Sequence, residues 1–202
     1  PTKPDWDWSK AGDQNRPDHP HLYLKIKGEF IYDKNVVPEY GWFNLKANRY
    51  IIGDKIDPST PTHLNRPMGD IYDKDAKIWP FKIHRARQPY DTVHNYLLQP
   101  VTSGEGGFWH QFDWEKALRM GAGVTGVEFS GQYGFAETYM QWPLSHMVSP
   151  ANRALKCDDC HSEKSRMNWT ALGYRNDPRK IGGRISNGWL KNDTPKKEVK
   201  VP

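Results

Sequence analysis

The sequence predicts a loop-rich, mainly irregular fold, with short β-hairpins in its first half and short α-helices in its second. Three observations lead there. The 202 residues include 16 prolines and 17 glycines, enough to interrupt long helices and strands throughout. Mean hydropathy is −0.89 and 36% of residues are hydrophobic, thin for a core of ordinary aliphatic packing. Nine tryptophans and ten tyrosines offset this in part, because each ring buries a large area. The length suits one domain over residues 22–180, between an extended N-terminal arm over 1–21 and a basic C-terminal tail over 181–202.

Residues 1–21 are polar and proline-rich, with Trp6 and Trp8 as isolated anchors. Leu22-Tyr23-Leu24-Lys25-Ile26-Lys27 and Glu29-Phe30-Ile31-Tyr32 flank Gly28 and read as a hairpin. Tyr40-Gly41-Trp42-Phe43-Asn44-Leu45 and Tyr50-Ile51-Ile52 are further short strands, and Pro58, Pro61, Pro67 and Pro80 make residues 53–80 mostly loop. In the second half, Trp114-Glu115-Lys116-Ala117-Leu118-Arg119-Met120 predicts a helix capped by Asp113 and ended by Gly121. Phe135-Ala136-Glu137-Thr138-Tyr139-Met140 predicts another, broken near Pro143. Ser149-Pro150 sets a hydroxyl N-cap before proline at the first helical position, so a helix is expected through Leu155 and on to residues 157–161.

Both cysteines of the chain fall in one pentapeptide, Cys157-Asp158-Asp159-Cys160-His161. C-x-x-C-H is the attachment signal of a c-type haem. Two thiols at this spacing can form thioethers with the two vinyl groups of one porphyrin, and the adjacent histidine comes under the iron. Cys157 and Cys160 are therefore the candidate haem-binding residues, His161 the candidate proximal ligand, and one covalent haem c the expected cofactor. The second-half helices would then surround the porphyrin, which supplies part of the missing core. A thioredoxin-like redox pair is the first competing reading, but no apolar β-run leads into the motif. A zinc site is the second, but it needs a fourth ligand and rarely takes adjacent Cys and His.

The net charge of +5 comes from bases interleaved with acids, which argues against nucleic acid as a partner. No stretch approaches the roughly twenty apolar residues of a membrane span. Haem c is attached outside the cytoplasm, so the expectation is an exported protein, periplasmic or extracellular, whose leader is absent from this sequence. Gly121-Ala122-Gly123-Val124-Thr125-Gly126 fits G-x-G-x-x-G but follows a helix-like segment instead of a strand, which is the wrong context for a dinucleotide. There is no G-x-S-x-G elbow, and nothing marks a carboxylate pair.

Function turns on the sixth position of the iron. Met167 is the only methionine after His161, and it lies too near in sequence to reach the opposite haem face easily. A distal ligand must then come from upstream. His146, just before the Ser149-Pro150 turn, is the first candidate, and His84 in Phe81-Lys82-Ile83-His84-Arg85 is the second. His94, His110 and His63 rank lower, His19 and His21 sit in the arm, and Met147 is the remaining alternative.

Several segments carry a wider resemblance: Trp79-Pro80-Phe81-Lys82-Ile83-His84-Arg85 with Gln88-Pro89-Tyr90-Asp91, Gly106-Gly107-Phe108-Trp109, Phe112-Asp113-Trp114, Ser130-Gly131-Gln132-Tyr133-Gly134-Phe135-Ala136-Glu137-Thr138, and His146-Met147-Val148-Ser149-Pro150 leading to the motif. Pro38-Glu39-Tyr40-Gly41-Trp42 and Gly53-Asp54-Lys55-Ile56-Asp57 belong with them. Together, over most of residues 20–175, they resemble the C-terminal portion of the octahaem tetrathionate reductase family of multihaem cytochromes c. Members of that family carry eight haem motifs and this chain carries one. The family's catalytic haem, with its lysine ligand, lies earlier in the polypeptide and has no counterpart here. The resemblance therefore implies the terminal electron-transfer haem and its scaffold, in a piece of a larger cytochrome or in a reduced relative with its own role. In the first arrangement, His84 or His146 serves an iron whose motif lies on another chain.

The leading expectation is a c-type cytochrome, or cytochrome subunit, passing electrons to or from other haems of a multihaem assembly. It is more an electron-transfer protein than a self-contained oxidoreductase. Its partners would be a redox cytochrome or additional haem-bearing chains, and an oligomer is compatible with this reading. The alternative is a haem reductase of small sulfur or nitrogen oxyanions such as tetrathionate, nitrite or hydroxylamine, with Lys82, Arg85 and Arg87 around His84 steering the substrate. A third reading is an assembly subunit whose haem mainly staples the fold.

Overall fold

Residues 25–27 turn the chain between strands β2 (Tyr23–Leu24) and β3 (Gly28–Asp33), which pair antiparallel with Tyr23 opposite Glu29 and Leu24 opposite Gly28. Gly28 opens β3 with φ +77°, in the left-handed region, and a Cβ there would come within 2.0 Å of the Asp7 carbonyl oxygen, so this position requires glycine. The computed structural model describes residues 2–145 and 149–190. They divide into two units. One holds the described residues up to Glu39, Ala47–Arg66 and Phe81–Leu144; the other holds Tyr40–Lys46, Pro67–Pro80 and the described residues from Ser145 onward.

The first unit is built on a mixed sheet. Strand β1 (Thr2–Asp7) lies within the expected arm, where it runs antiparallel to β3 and parallel to β7 (Lys77–Asp91). Strand β4 (Glu39–Phe43) leads out of this unit, and β5 (Ala47–Arg49) and β6 (Thr62–Pro67) follow. Strand β8 (Tyr96–Leu97) and β9 (Tyr133–Pro143) both pair antiparallel with β7, and the order across the sheet is β2-β3-β1-β7-β9-β6-β5. The short-strand expectation at Tyr50–Ile52 is displaced to β5, just upstream.

The segment expected to be helical at residues 135–140 is instead the middle of β9, in register with β7 from Phe81↔Pro143 to Asp91↔Tyr133. Phe135, Thr138 and Tyr139 favour a strand, a six-residue helix is marginal, and the ladder with β7 buries Ala136 and Thr138 on one face. Helices α1 (Phe108–Gln111) and α2 (Trp114–Thr125) belong to the same unit. The Asp113 carboxylate accepts from the Lys116 amide as the cap that its position predicts. Gly121 does not end the helix; α2 continues to Thr125 and Gly126 takes the left-handed cap. Gly121 is needed inside the helix, because a Cβ would lie 1.7 Å from the Gln99 carbonyl oxygen.

Aromatic rings supply much of the packing here. Phe108 stacks on Trp114 with centroids 3.9 Å apart, and Leu118 packs with Tyr96 and Leu98. The second unit has its own core of Ile71, Leu172 and Tyr174, ringed by Trp42, Trp169 and Trp189. Arg184 pins it. Its guanidinium lies 4.5 Å from the Trp42 ring centroid and donates to the carbonyls of Ile71, Asp73 and Ala76. Residues within the expected tail thus hold this core together. The whole is loop-rich, with a mixed sheet and few short helices, the class the sequence predicts.

Candidate functional site

The long helix expected from Ser149-Pro150 is reduced to a single 3-10 turn, Ala151–Arg153, with Pro150 extended before it. The chain then straightens and starts again at Lys156, whose amide donates to Asp159 Oδ2 at 2.7 Å. One helical turn follows, α3 (Cys157–Cys160), and His161 caps it by donating its amide to the Cys157 carbonyl. Three-residue spacing on a helical turn sets the two sulfurs on one side. Both thiols are free, Cys157 exposed and Cys160 half-buried.

A turn this short leaves its last carbonyls without helical partners. Side chains from downstream take that role. Ser165 Oγ donates to the Cys160 carbonyl at 2.6 Å and the Trp169 indole N–H donates to the same oxygen at 3.1 Å. The Arg166 amide donates to the Asp159 carbonyl. Trp169 also lies parallel to the His161 ring, with centroids 5.1 Å apart and planes 16° apart. Its own edge meets Tyr174 of the unit's core, so the imidazole is anchored through one ring to buried structure.

On its edge, His161 Nδ1 lies 2.7 Å from Asp177 Oδ1. Asp177 is buried and is the N-cap of α4 (Pro178–Ile181), accepting the Arg179 amide at 2.8 Å. Burial pushes this carboxyl up, but the hydrogen bonds from His161 and the Arg179 amide, with the charges of His161 and Lys180, outweigh it and hold the group below the usual carboxylate range. An ionised carboxylate only accepts. Nδ1 therefore keeps its proton in this contact, so Nε2 is the nitrogen that can offer a lone pair to a metal. Beside this edge is an open hollow of about 570 Å³ lined by Arg166, Arg175, Trp169 and Asp177. The free thiol pair, the adjacent imidazole with a fixed tautomer and the basic side chains fit a covalently held haem with anionic propionates.

The other candidate ligands are dispersed. His146 and Met147 lie outside the described residues. His84 belongs to the first unit, half-buried on β7 opposite Met140 of β9. Burial, with Lys82 adding to it, pushes its imidazole down toward the neutral form. His63 on β6 is edge-on to Tyr139, and burial and Arg66 push it down as well. His94 stacks on Tyr96, and His19, His21 and His110 are exposed.

The basic group around His84 does not form one cluster. Alternation along β7 sends Lys82 and His84 to one face and Arg85 and Arg87 to the other. Arg85 pairs with Glu39 at 2.8 Å and Arg87 lies 3.9 Å from Asp7. The hollow of about 730 Å³ that these arginines line also carries Asp5, Asp7, Glu29 and Glu137, a poor lining for an oxyanion. The Asp177 contact was not visible in the sequence: Asp177-Pro178 signals a helix start, but nothing in the spacing points to His161, sixteen residues away.

A family model described as bacterial cytochrome c matches residues 3–164. No curated protein matches this chain. Among solved structures, the octaheme cytochrome c from Shewanella oneidensis superposes with a TM-score of 0.84 at 46% sequence identity, over 89% of this chain and 43% of that one. The chain thus spans less than half the length of the octaheme cytochrome it matches.

Proposed function

The chain belongs to the bacterial cytochrome c family, and on that premise we propose that it transfers electrons through one haem c, exchanging them with other haems of a multihaem assembly. The observation that carries this reading is the pairing of free Cys157 and Cys160 thiols on one turn with a His161 whose Nε2 is left as the free donor. Cys157 and Cys160 would hold the haem as thioethers, an S–H addition to each vinyl group that needs no oxidant or reductant. Once bound, the haem supplies a one-electron ferric/ferrous couple, with another haem as donor or acceptor. His161 is the proximal ligand, held by Trp169 and Asp177. His146 is the first choice for the distal position and His84 for an iron held elsewhere in the assembly.

With two histidine ligands the bound haem would offer no site for substrate and would have a lower potential than with a methionine ligand. The similarity to a longer octaheme cytochrome supports further haem-bearing chains or segments as partners. Assembly of haem c outside the cytoplasm makes the periplasm or the exterior the working compartment.

The test is made on the oxidised protein purified with any chains that accompany it. Haem retained by the chain after denaturation, with a low-spin electron paramagnetic resonance signal, is the expected result, and Cys157→Ala/Cys160→Ala loses the retained haem. His146→Ala should convert the signal toward high spin. A dominant high-spin signal from the unaltered protein overturns the two-histidine carrier and brings the reductase reading forward.

A further inference from the structure

We propose that Asp177 is a positioning residue that sets the tautomer and donor strength of the proximal imidazole, and through it lowers the reduction potential of the haem. The proposal rests on the reading of His161 as the iron ligand and deepens it. The 2.7 Å separation between His161 Nδ1 and Asp177 Oδ1 is that of a charge-assisted hydrogen bond. A negative acceptor on Nδ1 pulls the N–H proton toward itself and leaves more electron density on Nε2. Greater density there stabilises ferric over ferrous iron. With haem bound, the electron would be exchanged at the iron and the proton would stay on Nδ1 in both oxidation states.

Three further contacts make the arrangement rigid. Asp177 is 8% exposed, so bulk water does not compete for its oxygens. The carboxylate is fixed at the start of α4 by the Arg179 amide, with Pro178 next to it, and the Asp177 amide is itself held by Asn176 Oδ1 at 2.7 Å. On the other side, Trp169 fixes the imidazole plane. The carboxylate thus meets the imidazole edge from a separate, independently anchored segment. A helix cap alone does not require this, because an N-cap needs only its own backbone partner.

Asp177→Asn separates the two roles. Asparagine caps a helix as well as aspartate does and has the same shape, but it is neutral. The measurement is a spectroelectrochemical titration of the haem-loaded protein, with denatured-state haem retention checked on the same samples. The midpoint should rise in Asp177→Asn by about tenfold in the equilibrium constant for reduction, about 59 mV for a one-electron couple. The low-spin g-values should shift as imidazolate character falls, while haem retention is unchanged. An unchanged midpoint with retained haem overturns the proposal and leaves Asp177 as a cap. Absence of retained haem in the unaltered protein overturns the underlying haem reading instead. If Asp177→Asn does not load haem, the unaltered ferrous protein decides by a ¹H–¹⁵N spectrum. A slowly exchanging proton on His161 Nδ1 supports the proposal, and its absence overturns it.

Discussion

Trp169 covers the face of His161 at 5.1 Å while its indole N–H holds the Cys160 carbonyl, so one side chain orients both the candidate iron ligand and the end of the helical turn that carries the thiols. Neither contact is implied by the C-x-x-C-H motif itself. They come from a downstream loop whose other side packs on Tyr174.

Trp169→Phe keeps a ring over the imidazole and removes the hydrogen bond to Cys160. A loss of about 1 kcal/mol in unfolding free energy is expected. Trp169→Ala should lose about 3 kcal/mol and release the His161 ring. Denaturant unfolding of the haem-loaded protein measures both, and equal losses for the two variants would show that the ring contact contributes nothing.

Arg184 donates to three backbone carbonyls around the loop of residues 71–76 and lies over Trp42. Arg184→Ala removes these three bonds, although the Asp73 carbonyl keeps the Ala76 amide, and should cost about 3 kcal/mol. Arg184→Lys should recover little of it, because an ammonium cannot match a planar fork aimed at several carbonyls. Thermal melts followed by tryptophan fluorescence report on it, since Trp42 and Trp189 belong to the same core.

Two glycines of α2 should respond in opposite directions. Gly121→Ala drives a methyl into the Gln99 carbonyl and should destabilise by more than about 3 kcal/mol. Gly123 has nothing within 4 Å of its virtual Cβ, so Gly123→Ala should stabilise by about 0.5–1 kcal/mol through helix propensity alone. Circular dichroism melts of the pair check the contrast.

Asp91 is fully buried and accepts from the Val93, His94 and Ser130 amides and the Ser130 hydroxyl. Burial alone would raise its carboxyl, but the donors outweigh it and the group sits below the usual carboxylate range. Its stabilisation is therefore complete above about pH 4, the ordinary carboxylate value, and is lost as pH falls through the lower folded-state value. Asp91→Asn should cost about 3 kcal/mol at neutral pH, because an NH₂ then faces donors. It should also flatten the stability profile below about pH 4. A urea-midpoint series across acidic pH tests it, and an unchanged acid slope counts against the assignment.

What the sequence determined by itself is the chemistry that depends on spacing within a few residues. The C-x-x-C-H motif is legible because it places two thiols and an imidazole within five residues. The Asp113 cap is legible because its partner amide is three residues away, and the Gly28 hairpin because its turn is local. The tertiary structure alone decided that residues 135–140 form a strand, because the ladder with β7 is a long-range pairing that outweighs weak helix propensity. It decided that Gly121 lies inside a helix, because the reason is the approach of Gln99 and not a chain ending. It also decided that Asp177 meets His161, since that contact depends on where a loop and a second short helix place a carboxylate. Local covalent and capping requirements leave a fixed spacing in the chain, whereas contacts between distant segments are selected by packing and leave none.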